Sequence, residues 1–241
     1  MEKNKYRLIA KKVIETEINS LKKLKSSINS SFEKAVKSII NCKNGKIIIS
    51  GVGKSGIIGK KISSTLASVG TSSFFVDASS CSHGDLGKID TKDILILISY
   101  SGESVELKNI IQFAKRNKIF LIGIVSKKNS LLYKASNVKL YIPEVKEADP
   151  NNIVPTSSTI TQLSIGDALA VATMKYKKFS KLDFKKFHPS GSLGRQLKTV
   201  EDIMLTGKKI PFVNENILMK KALKILVNKK LGTLVIKNKK G

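Results

Sequence analysis

The chain has no tryptophan, two cysteines, two histidines and five prolines in 241 residues, and only 18 acidic side chains against 44 lysines and arginines. Cys42 and Cys81 lack metal-ligand spacing, and no disulfide is expected between them in a reducing compartment. No apolar run approaches the length of a membrane span. The opening Met1-Glu2-Lys3-Asn4-Lys5 leads into a charged amphipathic pattern rather than a signal-peptide segment, so a cytoplasmic location is expected. Aromatic residues make up 6% of the chain, too few to interleave with the lysines and stack bases. The lysines are spread along the whole length and accompany abundant Asn and Ile, as a codon bias would leave them. The net charge of +26 is therefore read as a solvated surface that attracts anionic ligands. Neither a nucleic-acid nor a membrane partner is expected.

The 41% hydrophobic content suffices for a core, and the length allows one large domain or one domain plus a fragment. Two stretches are built alike: Ile47-Ile48-Ile49-Ser50-Gly51-Val52-Gly53-Lys54-Ser55-Gly56 and Ile94-Leu95-Ile96-Leu97-Ile98-Ser99-Tyr100-Ser101-Gly102-Glu103-Ser104. Each is an unalternating apolar run, as in a strand buried on both faces, followed by a Ser/Gly turn and a helical pattern. Glycine lets the backbone approach a ligand, the serines supply hydroxyls, and helix starts present free N–H groups. Two such turns point to a phosphorylated or otherwise anionic small ligand.

The region 6–41 reads as two helices, with Ser30-Ser31 offering capping hydroxyls to the second. Strands are expected near 46–50, 72–76, 94–98, 119–125 and 138–142, and helices near 55–68, 104–116 and 129–135. This alternation predicts an α/β fold, a three-layer α/β/α sandwich on a five-stranded parallel sheet. A long helix over about 157–177 should turn Leu163, Ile165, Ala168, Leu169, Val171 and Ala172 inward. The lysine-rich stretch Phe179–Phe187 reads as a break, and 188–194 as a loop. From Val200 a second unit begins, with a helical piece at Ile203-Met204, a helix at 219–227 and a strand at 233–236. It ends on the turn signal Lys239-Lys240-Gly241 and is expected to be part of a larger domain.

Both histidines, His83 and His188, lie in Gly/Ser-punctuated segments. Each is either a partly buried polar residue or an acid/base or hydrogen-bonding group; neither has metal-site spacing. Lys54 is either one more surface lysine or a cation placed to meet a bound anion. Gly51–Gly56 is no P-loop, and its fit to G-x-G-x-x-G is weak support for a dinucleotide, since only Asp77 follows the next strand as an acidic residue. Glu103 and Glu106 are either helix-dipole partners or, for Glu106, a general base together with or instead of Glu147. Thr156-Ser157-Ser158-Thr159 exceeds what capping needs, which suggests a third set of donors.

These motifs resemble the sugar isomerase (SIS) domain family, and within it the arabinose 5-phosphate isomerases. The matching stretches are G-V-G-K-S-G-x-I-G-x-K-I, F-F-V-x-x-x-x-x-S-H-G-D-L-G, I-S-x-S-G-E-S-x-E, P-T-S-S-T, G-D-A-L-A-V-A and H-P-S-G-S-L-G-R, running in family order from about residue 45 to 198. The segment from Val200, with Glu201-Asp202-Ile203-Met204 and Gly232-Thr233, resembles the start of paired CBS repeats. The resemblance implies an SIS domain over 1–198 and an incomplete CBS-like segment over 199–241. It implies interconversion of D-ribulose 5-phosphate and D-arabinose 5-phosphate, supplying the octulosonate sugar KDO for lipopolysaccharide or capsule, by a homotetramer. Proton transfer between C1 and C2 needs no redox cofactor, and the sequence offers no site for one or for a metal. The family's functional positions fall on Lys54, His83, Glu106, Glu147 and His188. Glu106 or Glu147 would move the proton, His188 would open the sugar ring or polarise its oxygen, and Lys54 and His83 would stabilise negative charge. Gly53, Ser55, Ser99, Ser101, Glu103, Ser104 and the hydroxyls of Thr156, Ser157, Ser158 and Thr159 would bind the phosphosugar. The family often has His where this chain has Ile57 and Asn where it has Tyr100, two changes expected to border the pocket. Two rival readings are a sugar-phosphate-sensing regulator and an isomerase of another phosphosugar such as sedoheptulose 7-phosphate. The roughly 45 residues before the first strand are too few for a DNA-binding motif plus flanking helices, and the CBS-like segment opposes the second.

Overall fold

The computed structural model of the protein describes residues 2–188, 196 and 198–238. The chain divides into two compact units, Met1–His188 and Pro189–Gly241. In the first, helices α1 (Glu2–Ser27) and α2 (Ser30–Asn41) precede strand β1 (Ile47–Gly51). There follow α3 (Gly53–Ser68), β2 (Ser73–Phe75), α4 (Ala78–Cys81), a 3-10 turn at Asp85–Lys88, β3 (Ile94–Ile98) and α5 (Val105–Arg116). The unit continues with β4 (Phe120–Val125), α6 (Leu131–Ala135), β5 (Val138–Tyr141), α7 (Ser157–Tyr176) and α8 (Lys181–Phe187).

The five strands form one parallel sheet in the order β2-β1-β3-β4-β5. Its two faces bury different residues of the same strands. Ile47, Ile49, Ile94, Ile96 and Ile98 pack with α2, α3 and α7, while Ile48, Leu95 and Leu97 pack with α4 and α5. Burial on both sides explains the unalternating runs. The chain leaves β1 for one edge of the sheet and returns to β3 on the other side, so the strand order reverses between β1 and β3. A crevice outside the carboxyl ends of the strands opens at such a point. The register sets Gly51 beside Ile98, which brings the two Ser/Gly turns to the same height.

Three expectations change. Asn29, not Ser30 or Ser31, caps α2, its Oδ1 accepting the Ser31 N–H at 2.8 Å. On α7 the inward stripe is Ser158, Thr161, Gln162, Ile165, Gly166, Leu169, Ala170 and Thr173; Ala168 and Val171 face solvent. The stripe keeps the 3.6-residue period but mixes polar with apolar letters, so a reading of apolar letters alone misplaces it. A Cβ at Gly166 would lie 2.2 Å from Ile62 Cδ1, so glycine here permits the close approach of α7 to α3. The break expected over 179–187 is instead α8, started by a capping box in which the Ser180 hydroxyl and the Asp183 carboxylate satisfy each other's backbone N–H.

In the second unit α9 (Val200–Ile203) begins with a Thr199–Asp202 capping box. Strand β6 (Phe212–Asn214) pairs in parallel with β7 (Val235–Lys237) across α10 (Met219–Lys229). The short β6 is not legible in the sequence. The loop expected over 189–194 and the turn at 239–241 lie outside the described residues.

Candidate active site

A cavity of about 410 Å³ opens at the carboxyl end of the sheet, at the strand-order reversal. Its wall includes Val52, Lys54 and Ser55 from the start of α3, Tyr100 after β3, Val145, Glu147, Asn152, Ile153 and Pro155 from the loop after β5, and Ser158, Thr159 and Gln162 from α7. Its volume falls in the range of small-molecule sites.

Helix α3 opens on Val52, which has no side-chain capping bond. Its first-turn N–H groups are left for a ligand, and the helix dipole favours an anion there. Gly53 adopts φ +57°, and a Cβ on it would meet nothing within 4 Å; the conformation, not crowding, is what calls for glycine. Lys54 and Gly53 are exposed at this turn. The second turn is closed from within. Ser99 Oγ accepts the Gly102 N–H at 3.0 Å and lies 3.1 Å from Ser104 Oγ. Ser101 Oγ accepts the Glu103 N–H at 3.3 Å. Glu103 Oε1 accepts the Leu131 N–H at 2.8 Å, so its carboxylate serves the start of α6.

Glu147 is held most firmly. Its Oε2 accepts the Thr156 N–H at 2.8 Å, the Ser158 N–H at 3.1 Å and the Thr156 hydroxyl at 3.1 Å. Its own N–H donates to Asn152 Oδ1 at 2.6 Å. The N-terminus of α7 is thus capped by Glu147 itself, while Oε1 makes no hydrogen bond among the described residues and belongs to a side chain lining the cavity. The four-hydroxyl run accordingly divides. Ser158 and Thr159 line the cavity, with the Thr159 hydroxyl donating to Thr156 O at 2.7 Å. The Thr156 hydroxyl oxygen also accepts the Ala148 N–H at 2.8 Å, and Ser157 is fully buried away from the cavity wall.

Glu106 is half-buried in the first turn of α5 and does not line this cavity. His83 is exposed between α4 and the 3-10 turn. Its neighbour Ser82 accepts from Asn109 of α5 at 3.3 Å, one turn along from Glu106. The segment that carries His83 is thus joined to the helix that carries Glu106, whereas Lys54 and Glu147 line one cavity. His188 ends α8, its Nδ1 3.0 Å from Phe184 O and its ring stacked on Phe184 at 3.8 Å, outside the cavity wall. Ile57 is 64% exposed and does not line the cavity, contrary to expectation, because it sits on the outer side of the first turns of α3.

Tyr100 lines the cavity, as expected of a residue bordering the pocket, whereas Gln162 was not expected there. Tyr100 accepts the Val145 N–H at 2.8 Å, pinning the strand-exit loop two residues before Glu147. Burial pushes its phenol above the ordinary value, against the backbone bond to Val145. Gln162 is 1% exposed, and its Oε1 has no partner among the described residues. The signal for Gln162 was available as a polar letter at an inward helical position. Among the described residues no three His, Cys, Asp or Glu side chains gather as metal ligands, and no helix is long and apolar enough to cross a membrane.

Residues 39–172 match the SIS domain. The chain is 46% identical over 226 residues to the arabinose 5-phosphate isomerase KdsD of Francisella tularensis, covering 92% of this chain and 69% of that protein. It is 44% identical over 227 residues to the protein of the same name from Salmonella typhi, covering 94% of this chain and 69% of that protein. The fold is similar, with a TM-score of 0.76, to an E. coli CFT073 protein solved in complex with arabinose 5-phosphate, at 35% identity over 78% of this chain and 100% of that one.

Proposed function

The chain belongs to the SIS domain family, and from that premise we propose that it is an arabinose 5-phosphate isomerase, interconverting D-ribulose 5-phosphate and D-arabinose 5-phosphate. The observation that carries this reading is Glu147: one oxygen is fixed by three donors and the other has no hydrogen bond among the described residues, in a cavity that Lys54 also lines. A carboxylate held in one orientation suits proton transfer, and a nearby ammonium suits the negative charge that develops on oxygen.

In the ketose-to-aldose direction a carboxylate takes a proton from C1. The electron pair of that C–H bond forms the C1–C2 double bond, and the C2 carbonyl oxygen takes up a proton to give the enediol. The C1 hydroxyl then yields its proton as C1 becomes the aldehyde, and C2 receives one from the carboxylic acid. Glu147 faces the cavity, while Glu106, one turn from the segment that carries His83, is the second candidate. The phosphate is assigned to the open start of α3 at Gly53, Lys54 and Ser55, with the Ser99–Ser104 turn beside it. Ser158 and Thr159 supply further polar contacts from α7. His188 keeps its role in ring opening as part of this reading.

Exposed apolar side chains on α1, among them Tyr6, Leu8 and Ile14, and on α7, Val171 and Tyr176, support assembly into a homotetramer. The β6–α10–β7 unit supports a CBS-like assignment of 199–241. A cytoplasmic location and supply of KDO for lipopolysaccharide or capsule complete the reading. No observation favours a sensing regulator or a heptulose isomerase over it.

Incubation with D-ribulose 5-phosphate, followed by NMR of the sugars, is expected to show D-arabinose 5-phosphate, and its absence would overturn the proposal. Turnover is expected to survive EDTA; loss that added metal restores would sink the metal-free mechanism. Replacing the base, by Glu147→Gln or Glu106→Gln, is expected to lower kcat by roughly 10²–10⁴-fold. Near-normal turnover in both variants would remove the carboxylates from the chemistry.

A further inference from the structure

From the buried, unpaired amide oxygen of a side chain that lines the cavity we infer that Gln162 binds the C2 oxygen of the substrate, an assignment that rests on the aldose–ketose reading above. Several polar side-chain groups lining the cavity are already engaged. The Tyr100 hydroxyl holds Val145, Asn152 Oδ1 holds the Glu147 N–H, and the Thr159 hydroxyl holds Thr156 O. Gln162 differs: it lines the cavity, is 1% exposed, and its Oε1 is buried without a partner among the described residues. A buried acceptor left unpaired disfavours the free protein and rewards a ligand that brings a donor. Gln162 also lies one helical turn, about 6 Å of rise, beyond Ser158, whose N–H anchors Glu147. The amide and the carboxylate thus approach the same cavity from consecutive turns of one helix face.

The chemistry narrows the choice to the two oxygens that change character, those at C1 and C2, and the assignment to C2 is the one tested below. In an aldose–ketose isomerisation the C2 oxygen is a carbonyl in the ketose, which only accepts a hydrogen bond, and a hydroxyl in the enediol and the aldose, which can donate one. An ammonium can only donate and a carboxylate can only accept. A primary amide does both, donating through Nε2–H to the carbonyl and accepting at Oε1 from the hydroxyl. Gln162 therefore follows the C2 oxygen through the reaction without any change in its own charge.

D-Arabinose 5-phosphate and 2-deoxy-D-ribose 5-phosphate differ only in the C2 hydroxyl, and they form the test. KM for the first and the inhibition constant of the second are measured for the wild type and for Gln162→Met, a swap of similar volume. The wild type is expected to favour the hydroxylated ligand by about tenfold or more, the effect of one buried hydrogen bond. Gln162→Met is expected to bind the two alike and to lose kcat with D-ribulose 5-phosphate, without a fall in Tm, since it removes an unpaired buried acceptor. A variant that keeps the preference overturns the assignment, as does a wild type that shows none; the second comparison needs no variant to fold. If the wild type forms no arabinose 5-phosphate at all, the functional reading fails first, so the two failures are distinguishable.

Discussion

At the residue scale, Glu147 does two things at once, and substitutions separate them. Glu147→Gln keeps a carbonyl oxygen for the Thr156 and Ser158 N–H groups, so its Tm should stay near that of the wild type while turnover falls. Glu147→Ala removes the acceptor and leaves the start of α7 uncapped, with an expected loss of about 1–3 kcal/mol. Equal thermal denaturation midpoints for the two variants would show that the cap is not worth its three bonds. Asp183 gives a pH signature of the same kind. The Ser180 N–H, the Ser180 hydroxyl and the Lys186 ammonium hold its carboxyl down from 3.8 to about 2. A depressed folded-state value means that the capping box stabilises α8 above the unfolded value and loses this contribution as pH falls from about 3.8 toward 2. An NMR titration of the Asp183 carboxyl should show a midpoint near 2, and an ordinary aspartate midpoint would refute the capping box in solution.

At the element scale, the site depends on how closely α7 lies against α3, because one helix carries Ser158 and Gln162 and the other carries Lys54 and Ser55. Gly166 allows that approach, with Ile62 filling the space where its Cβ would be. Gly166→Ala should therefore overpack the contact and cost about 1–3 kcal/mol. Adding Ile62→Val to it should recover part of the lost Tm. If the double variant is no more stable than the single one, the helices are not held apart by this contact. Much of this element layer was legible in the sequence. The five strands, α3, α5 and the long α7 follow from unalternating apolar runs, glycine turns and helical periodicity. What escaped was carried by polar letters. Asn29 out-competes Ser30 for the cap because its side-chain oxygen reaches the N–H two residues on. The Ser180–Asp183 pair turned an expected break into α8. Thr161, Gln162 and Thr173 occupy inward positions on α7 that a hydrophobic reading passes over.

At the scale of the whole molecule, the excess of cations acts at a distance. With a formal net charge of +26, the protein should draw in phosphorylated substrates electrostatically, and salt should weaken this. Between low ionic strength and about 1 M salt, where the screening length is roughly 3 Å, kcat/KM for D-ribulose 5-phosphate is expected to fall severalfold with kcat little changed. A kcat/KM indifferent to salt would mean that only charges in contact with the phosphate matter.

The sequence by itself determined the sheet, the two Ser/Gly turns and the list of candidate groups, because strand burial, glycine turns and helix periodicity are local properties of neighbouring residues. Only the tertiary structure decided which of those groups meet. Lys54 and Glu147 are 93 positions apart and line one cavity because the strand order reverses between β1 and β3, whereas Glu106 lies on α5, to which Ser82 beside His83 is bonded. It also decided what each group is free to do. Hydrogen bonds formed in the fold commit Glu103, Ser99 and Thr159 to their own backbone neighbours, and leave one oxygen of Glu147 and the amide oxygen of Gln162 without a partner among the described residues. Such a distribution is a property of three-dimensional neighbours, which no spacing along the chain records.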